Sequence, residues 1–147
     1  MKRINLIYFL ILTCFFTSCK TTQDIVVPQR SISNFEKLAS IDNVLSIEKK
    51  ESTSHFNENF EIWFEQPVNY SDLSKGTFKQ RVLLGFENDS LPVIVELQGY
   101  GIYTDKAGEL ASHYNANQLT IEHRYFNNSR PETIDWNTLT IENAAKD

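Results

Sequence analysis

From Phe60 onward the chain alternates. Phe60, Ile62 and Phe64 interleave with Glu61, Trp63 and Glu65. Successive side chains of a strand point to opposite faces, so this pattern predicts a strand, ended by Pro67, which cannot donate to a ladder. Phe78, Val82, Leu84 and Phe86 interleave with Lys79, Arg81 and Leu83 and predict a second long strand. Asn69, Ser71, Asp72, Ser74 and Gly76 lie between the two as turn formers, so the strands read as an antiparallel pair. Pro92 to Leu97 is apolar except for Glu96, which suits a strand covered on both faces. Gln98 to Gly101 reads as a turn. Asp105 to Ala116 reads as a helix with Leu110, Ala111 and Tyr114 on one face. Gln118 to Tyr125 is another strand, and Asn127 to Asn137 a loop containing Pro131. Thr140 is placed to cap a last helix through Ile141, Ala144 and Ala145. Upstream, Asn34 is read as the cap of a short helix carrying Phe35, Leu38 and Ile41. A weak strand comes next over Val44 to Glu48, then a polar loop from Lys49 to Asn57. No internal repeat occurs. Strands alternating with helices after an antiparallel pair predict a mixed α/β sheet with right-handed crossovers.

The N-terminal stretch breaks this pattern. Met1-Lys2-Arg3 is basic, Leu6 to Phe16 is apolar apart from Thr13, and Thr17-Ser18-Cys19 closes the run. A basic start, an apolar run of about 7–15 residues and small residues at the cut make a secretory signal, and the run falls short of the ~20 residues a spanning helix needs. Small residues before a cysteine resemble a bacterial lipoprotein signal, so residues 1–18 read as the signal and Cys19 as the lipidated first residue of the mature chain. The other reading is an ordinary signal with Cys19 left as a free thiol. If Cys19 is acylated and Cys14 leaves with the signal, no thiol remains for a disulfide. Two or more acyl chains, at ~0.8 kcal/mol per buried methylene, give a stable anchor. Residues 19–33, with Thr, Gln, Pro28 and Ser and little periodicity, read as a tether. The expected localisation is the bacterial cell envelope, lipid-anchored on its periplasmic or cell-surface side.

Composition narrows the remaining 34–147 region. With 41% hydrophobic and 22% charged residues among 147, the chain is an ordinary single-domain polypeptide. A net charge of −5 argues against nucleic acid as a partner. His55, His113 and His123 lack metal-ligand spacing, and no cofactor motif is present, so neither metal nor cofactor is expected. Trp63, Trp136 and the phenylalanines read as core.

Three segments carry a family resemblance. They are Phe64-Glu65-Gln66-Pro67-Val68-Asn69 with Gly76 to Arg81; Val95-Glu96-Leu97-Gln98-Gly99-Tyr100-Gly101; and Glu122-His123-Arg124-Tyr125-Phe126 with Ser129-Arg130-Pro131, Asp135-Trp136 and Leu139 to Asp147. Together they resemble the opening portion of the secreted bacterial serine tripeptidyl aminopeptidases, relatives of the lysosomal Pro-X carboxypeptidase and dipeptidyl peptidase group. The likeness runs from about Phe60 to Asp147. Its most specific part is Glu-His-Arg-Tyr-Phe with Ser-Arg-Pro; Asn69-Tyr70 departs from the Asp-His that relatives tend to carry. The resemblance implies the N-terminal part of an α/β-hydrolase sheet: an antiparallel strand pair, then β-α-β-α, stopping before the nucleophile strand. It also implies an exopeptidase acting on a peptide substrate from its free N-terminus.

That chemistry needs a serine on a strained strand-to-helix turn, usually within Gly-x-Ser-x-Gly, with Asp and His later in the chain. None of Gly76, Gly85, Gly99, Gly101 and Gly108 is followed two residues on by serine. No catalytic residue is therefore assigned within these 147 residues, and the chain as given is expected not to hydrolyse peptides. Gly99-Tyr100-Gly101 is either a plain tight turn or the loop that supplies an oxyanion-hole N–H in this fold. Glu122 and Arg124, two apart on a predicted strand, would share a face, either shaping a substrate pocket or making a structural ion pair. The resemblance also implies that Val93 to Leu97 is left as an exposed edge open to self-association. The expected function is thus the N-terminal part of a lipid-anchored serine exopeptidase. The competing expectation is a non-catalytic envelope lipoprotein that binds peptides or another protein.

Overall fold

The computed structural model describes residues 32–51 and 56–147. The signal, Cys14, Cys19, most of the tether and His55 lie outside the described residues. Helix α1 (Asn34–Ala39) leads to β1 (Val44–Lys50), β2 (Glu58–Pro67), β3 (Thr77–Phe86), β4 (Val93–Leu97), α2 (Glu109–Tyr114), β5 (Asn117–Ile121) and α3 (Ile141–Ala144). Short 3₁₀ turns at Leu73–Lys75 and Trp136–Thr138 complete the described elements. The sheet order is β1-β2-β3-β5-β4. β1, β2 and β3 form an antiparallel meander, β3 pairs antiparallel with β5, and β4 pairs parallel with β5. The predicted strand pair is therefore a triplet, and the β4-α2-β5-α3 order succeeds it in a mixed sheet.

Register explains the core. Ile47, Ile62, Val82, Ile121 and Leu97 lie in one row across all five strands, and Phe60, Leu84, Leu119 and Val95 lie in the next. Phe60, Ile62 and Val82 are buried at its centre, with Leu38 of α1 packed against them. Those rows emerge into solvent at β4, where Val93 and Val95 are each 54% exposed and Leu97 74%. This corrects the reading of Pro92 to Leu97 as covered on both faces: the apolar run belongs to an edge strand with one neighbour. On the opposite face Gln118 and Thr120 are buried in a polar network, with the Gln118 amide donating to Glu96 and Thr120 while its oxygen accepts the Gly108 N–H.

Other boundaries move for local reasons. The first helix is capped by Ser33, in a capping box with Glu36, because the serine hydroxyl and the glutamate satisfy each other's backbone N–H groups; Asn34 is its first helical residue. The predicted Asp105–Ala116 helix shrinks to α2, and only Ala111 is buried on it. Thr140 caps α3 as expected, its hydroxyl accepting the Asn143 N–H at 3.1 Å. Trp136 is 65% exposed and so is not core. Among the described residues no helix is long and apolar enough to cross a membrane.

On the polar face, Arg81 of β3 forks onto one Glu61 oxygen of β2, at 3.1 Å from Nε and 2.7 Å from Nη2. Burial pushes the Glu61 carboxyl up, but the Arg81 hydrogen bond and charge outweigh it and hold the group below its ordinary 4.5. A depressed carboxylate contributes stability that is complete above the unfolded value and lost as pH falls through the folded one. Urea midpoints measured between about pH 5 and pH 3 should therefore fall more steeply for the native chain than for Arg81→Gln. Parallel curves would show that the fork contributes nothing.

Candidate functional site

The carboxyl ends of β4 and β5 lie side by side, and the chain leaves both into loops. A cleft of about 440 Å³ opens there, lined by Leu97, Gln98, His123, Leu139, Ile141 and Ala144, with Glu122 and Arg124 at its base. Crevices outside the carboxyl ends of α/β strands are where such sheets bind ligands. Among the described residues no cluster of His, Cys, Asp or Glu fits a metal ion.

β5 ends at Ile121, so the predicted strand to Tyr125 stops four residues early. Two buried charges are the cause. Glu122 and Arg124 are both fully buried, and each has to find polar partners that a ladder does not supply. One Glu122 oxygen accepts the Ile102 N–H at 3.0 Å and the Asn127 side-chain amide at 2.7 Å; the other accepts the Ser129 hydroxyl at 2.6 Å. Ser129 Oγ in turn accepts the Arg81 N–H at 3.0 Å, while the Glu122 N–H donates to the Arg81 carbonyl. The carboxylate thus sits beside Arg81, on the polar face of the sheet.

Arg124 goes the other way. Its Nε and Nη2 donate to the two oxygens of Asp147 at 2.8 and 2.6 Å. Nη1 donates to the carbonyls of Val68 and Thr138 at 3.0 and 3.3 Å, and Nη2 also to Pro67 at 3.2 Å. The guanidinium lies 5.2 Å from the Phe78 ring centre. Phe78 and Arg81 project to opposite faces of β3, so Glu122 and Arg124 do not share a face as a continuous strand would require. They share no side-chain partner either. Arg124 is in an ion pair, with Asp147; Glu122 is held by uncharged donors.

Gln80 completes the base, donating to the Glu122 carbonyl at 2.9 Å and accepting from Gln66 at 3.1 Å. Tyr70 donates to Gln66 at 2.9 Å; burial and the neighbouring Asp147 carboxylate push its hydroxyl above the ordinary value of 10.0. Gln80, Ser129, Asn127 and Asp147 were not singled out from the sequence. Gln80 sits at an apolar position of the β3 alternation, which is the one sequence signal that pointed to it.

The Gly99–Gly101 turn follows directly on Leu97 and Gln98, which line the cleft. Gly99 and Tyr100 are exposed and Gly101 is buried. A Cβ on Gly101 would lie 2.1 Å from the Asn127 side-chain nitrogen, so a side chain there would push the Asn127 amide from its place. The Tyr100 carbonyl accepts the His123 N–H at 3.1 Å. Among the described residues no acceptor engages the N–H of Tyr100 or Gly101. Tyr125 is buried with φ +72°, a conformation rare for an aromatic residue. Its hydroxyl bonds the Thr138 hydroxyl, which helps the surroundings hold that strain. His113 is exposed on α2.

Removing one partner of a buried ion pair leaves an uncompensated charge and typically costs about 3–5 kcal/mol. Arg124→Met should lower the unfolding free energy by about that amount in urea titration. A loss below ~1 kcal/mol would mean that Asp147 and the three carbonyls find other partners.

This arrangement can be set beside known proteins. Residues 28–147 match the PS-10 peptidase S37 family. The prolyl tri/tetrapeptidyl aminopeptidase of Streptomyces mobaraensis is 30% identical over 124 residues, covering 84% of this chain and 25% of that protein. The chain therefore spans about a quarter of the length of the curated relative it matches. With most of its length matched, including every segment around the cleft, the chain belongs to the PS-10 peptidase S37 family.

Proposed function

We propose that this chain supplies the N-terminal part of a lipid-anchored serine exopeptidase that takes short peptides from a free N-terminus. The family match and the aminopeptidase relative support peptide hydrolysis as the chemistry. The observation that carries the reading further is the conjunction at the sheet end. A glycine turn with, among the described residues, two uncommitted backbone N–H groups follows directly on Leu97 and Gln98, which line the cleft at the carboxyl ends of β4 and β5. Preorganised N–H donors at such a position are what a developing oxyanion needs. In this reading Gly99, Tyr100 and Gly101 form the oxyanion-side wall. Glu122 and Arg124 shape the pocket from beneath, since neither exposes surface to a substrate.

The reaction also needs a nucleophile and a base, and no Gly-x-Ser-x-Gly occurs in these 147 residues. We assign those groups to polypeptide outside them, whether a continuation or a second chain. The open edge of β4, with Val93, Val95 and Leu97 bare, is where a further strand would pair. Alone, the 147-residue chain would use that edge to self-associate. The N-terminal pattern closing on Ser18-Cys19 supports secretion and anchoring through acylated Cys19, with the tether over residues 19–33 and the enzyme region over 34–147. The resulting location is the bacterial cell envelope.

Purified chain incubated with a chromogenic tripeptide anilide should release no product and take up no serine-directed inhibitor. The coding DNA beyond Asp147, or a neighbouring frame, should encode Gly-x-Ser-x-Gly. Inhibitor-sensitive release of tripeptides by the 147 residues alone would contradict the assignment. A nucleotide sequence with no hydrolase-like continuation nearby would favour a non-catalytic binding lipoprotein.

A further inference from the structure

Glu122 is fully buried with no ion-pair partner among the described residues, and its three donors come from the exit of the Gly99–Gly101 turn, at Ile102, and from Asn127 and Ser129 of the loop after β5. We propose that Glu122 is a positioning residue: it latches the turn to the post-β5 loop and so fixes the direction of the Tyr100 and Gly101 N–H groups. The proposal rests on the peptidase reading for what those groups are used for; the latch itself is a property of this chain.

The loop needs a latch. Tyr125 and Asn127 both hold positive φ, +72° and +46°. Two short backbone bonds, Tyr125 N–H to Ser129 at 2.7 Å and Ser129 N–H to Phe126 at 2.8 Å, close it into a tight unit. Conformations of this kind persist only where the surroundings over-determine them. Glu122 does so through Asn127 and Ser129, by hydrogen bonds strengthened by its charge.

The turn has little else to hold it. Gly99 meets nothing within 4 Å of a built Cβ, and Tyr100 is 67% exposed. Its two ends are held by the Gln98 N–H on the Ile121 carbonyl at 3.0 Å and by Arg81 Nη1 on the Ile102 carbonyl at 3.4 Å. Between them stand the Tyr100 carbonyl bond to His123, the edge contact of Tyr100 with Phe126 at 5.2 Å, the close approach of Gly101 to Asn127, and the Ile102 N–H on Glu122, all of which lead to residues 122–127. Glu122 is the group that bonds the turn and the loop at once, because the same oxygen accepts from Ile102 and from Asn127. A glutamine at this position keeps the shape but offers one oxygen and no charge to three donors.

The test is amide NMR with hydrogen exchange on the full isotope-labelled chain. In Glu122→Gln the Ile102 amide should exchange about tenfold faster or more, because a charge-assisted bond is weakened. The Tyr100 and Gly101 signals should shift, while the Ile62 and Val82 amides of the central strands keep their native protection. Asn127→Gly, which suits the positive φ there and removes one of the Glu122 donors, should displace the same turn signals. Turn signals unchanged in Glu122→Gln, or loss of protection spread equally through the sheet, would reduce Glu122 to core filling and overturn the proposal. If Glu122→Gln does not fold, Asn127→Gly decides: Tyr100 and Gly101 signals left unchanged overturn it. None of these readouts depends on hydrolysis, so a failed peptidase assay and a failed latch are told apart.

Discussion

A glutamate and an arginine with no access to water stand two residues apart just past the end of β5, and the surrounding loops are arranged to satisfy them. An unpaired charge in a protein interior is costly, so Glu122 and Arg124 dictate where other segments go. Arg124 draws in the end of β2, the 3₁₀ turn at Trp136–Thr138 and Asp147. Glu122 draws in the exit of the glycine turn and the post-β5 loop at Asn127 and Ser129. After one further backbone bond to β3, from the Glu122 N–H to the Arg81 carbonyl, the chain leaves the ladder, and the N–H groups of His123 and Tyr125 go to Tyr100 and Ser129. The cleft at the strand ends is what the two sets of loops enclose.

Charge pairs of this kind seldom stabilise more than well-packed apolar residues would, but breaking them is expensive. Their effect here is to fix geometry. The apolar rows through Ile62 and Phe60 hold the sheet together, and the buried charges decide how irregular chain is laid over its end. The Gly99–Gly101 turn therefore depends on contacts made 20 or more residues away in sequence, and on the opposite side of the sheet from Arg124.

Regular elements were the legible part. Period-two alternation located β2 and β3, Pro67 marked the end of β2, and Thr140 marked the start of α3. Misreadings arose where nonlocal contacts override local pattern. Pro92 to Leu97 is apolar enough for a covered strand, yet pairing places it at the edge. Asn34 and Ser33 are both good caps, and the reciprocal bond to Glu36 selects the serine. The run from Gln118 to Tyr125 has the composition of a strand, but strand alternation cannot satisfy two buried charges and a left-handed tyrosine. Glu122, Arg124 and the glycine turn were legible as candidates through the resemblance. Their separation onto different faces was not, nor was the recruitment of Gln80, Ser129 and Asp147, which lie 42, 7 and 23 residues from their partners.

The claim on which this account turns is that Arg124 is an immobilised, fully bonded scaffold cation. Arginine side-chain NMR on the labelled chain reads it directly. The account predicts a resolved, slowly exchanging Arg124 Nε–H signal that is lost or shifted in Asp147→Asn, with the guanidinium protons close to Phe78. A signal at the position of free arginine, exchanging rapidly and indifferent to Asp147, would contradict it.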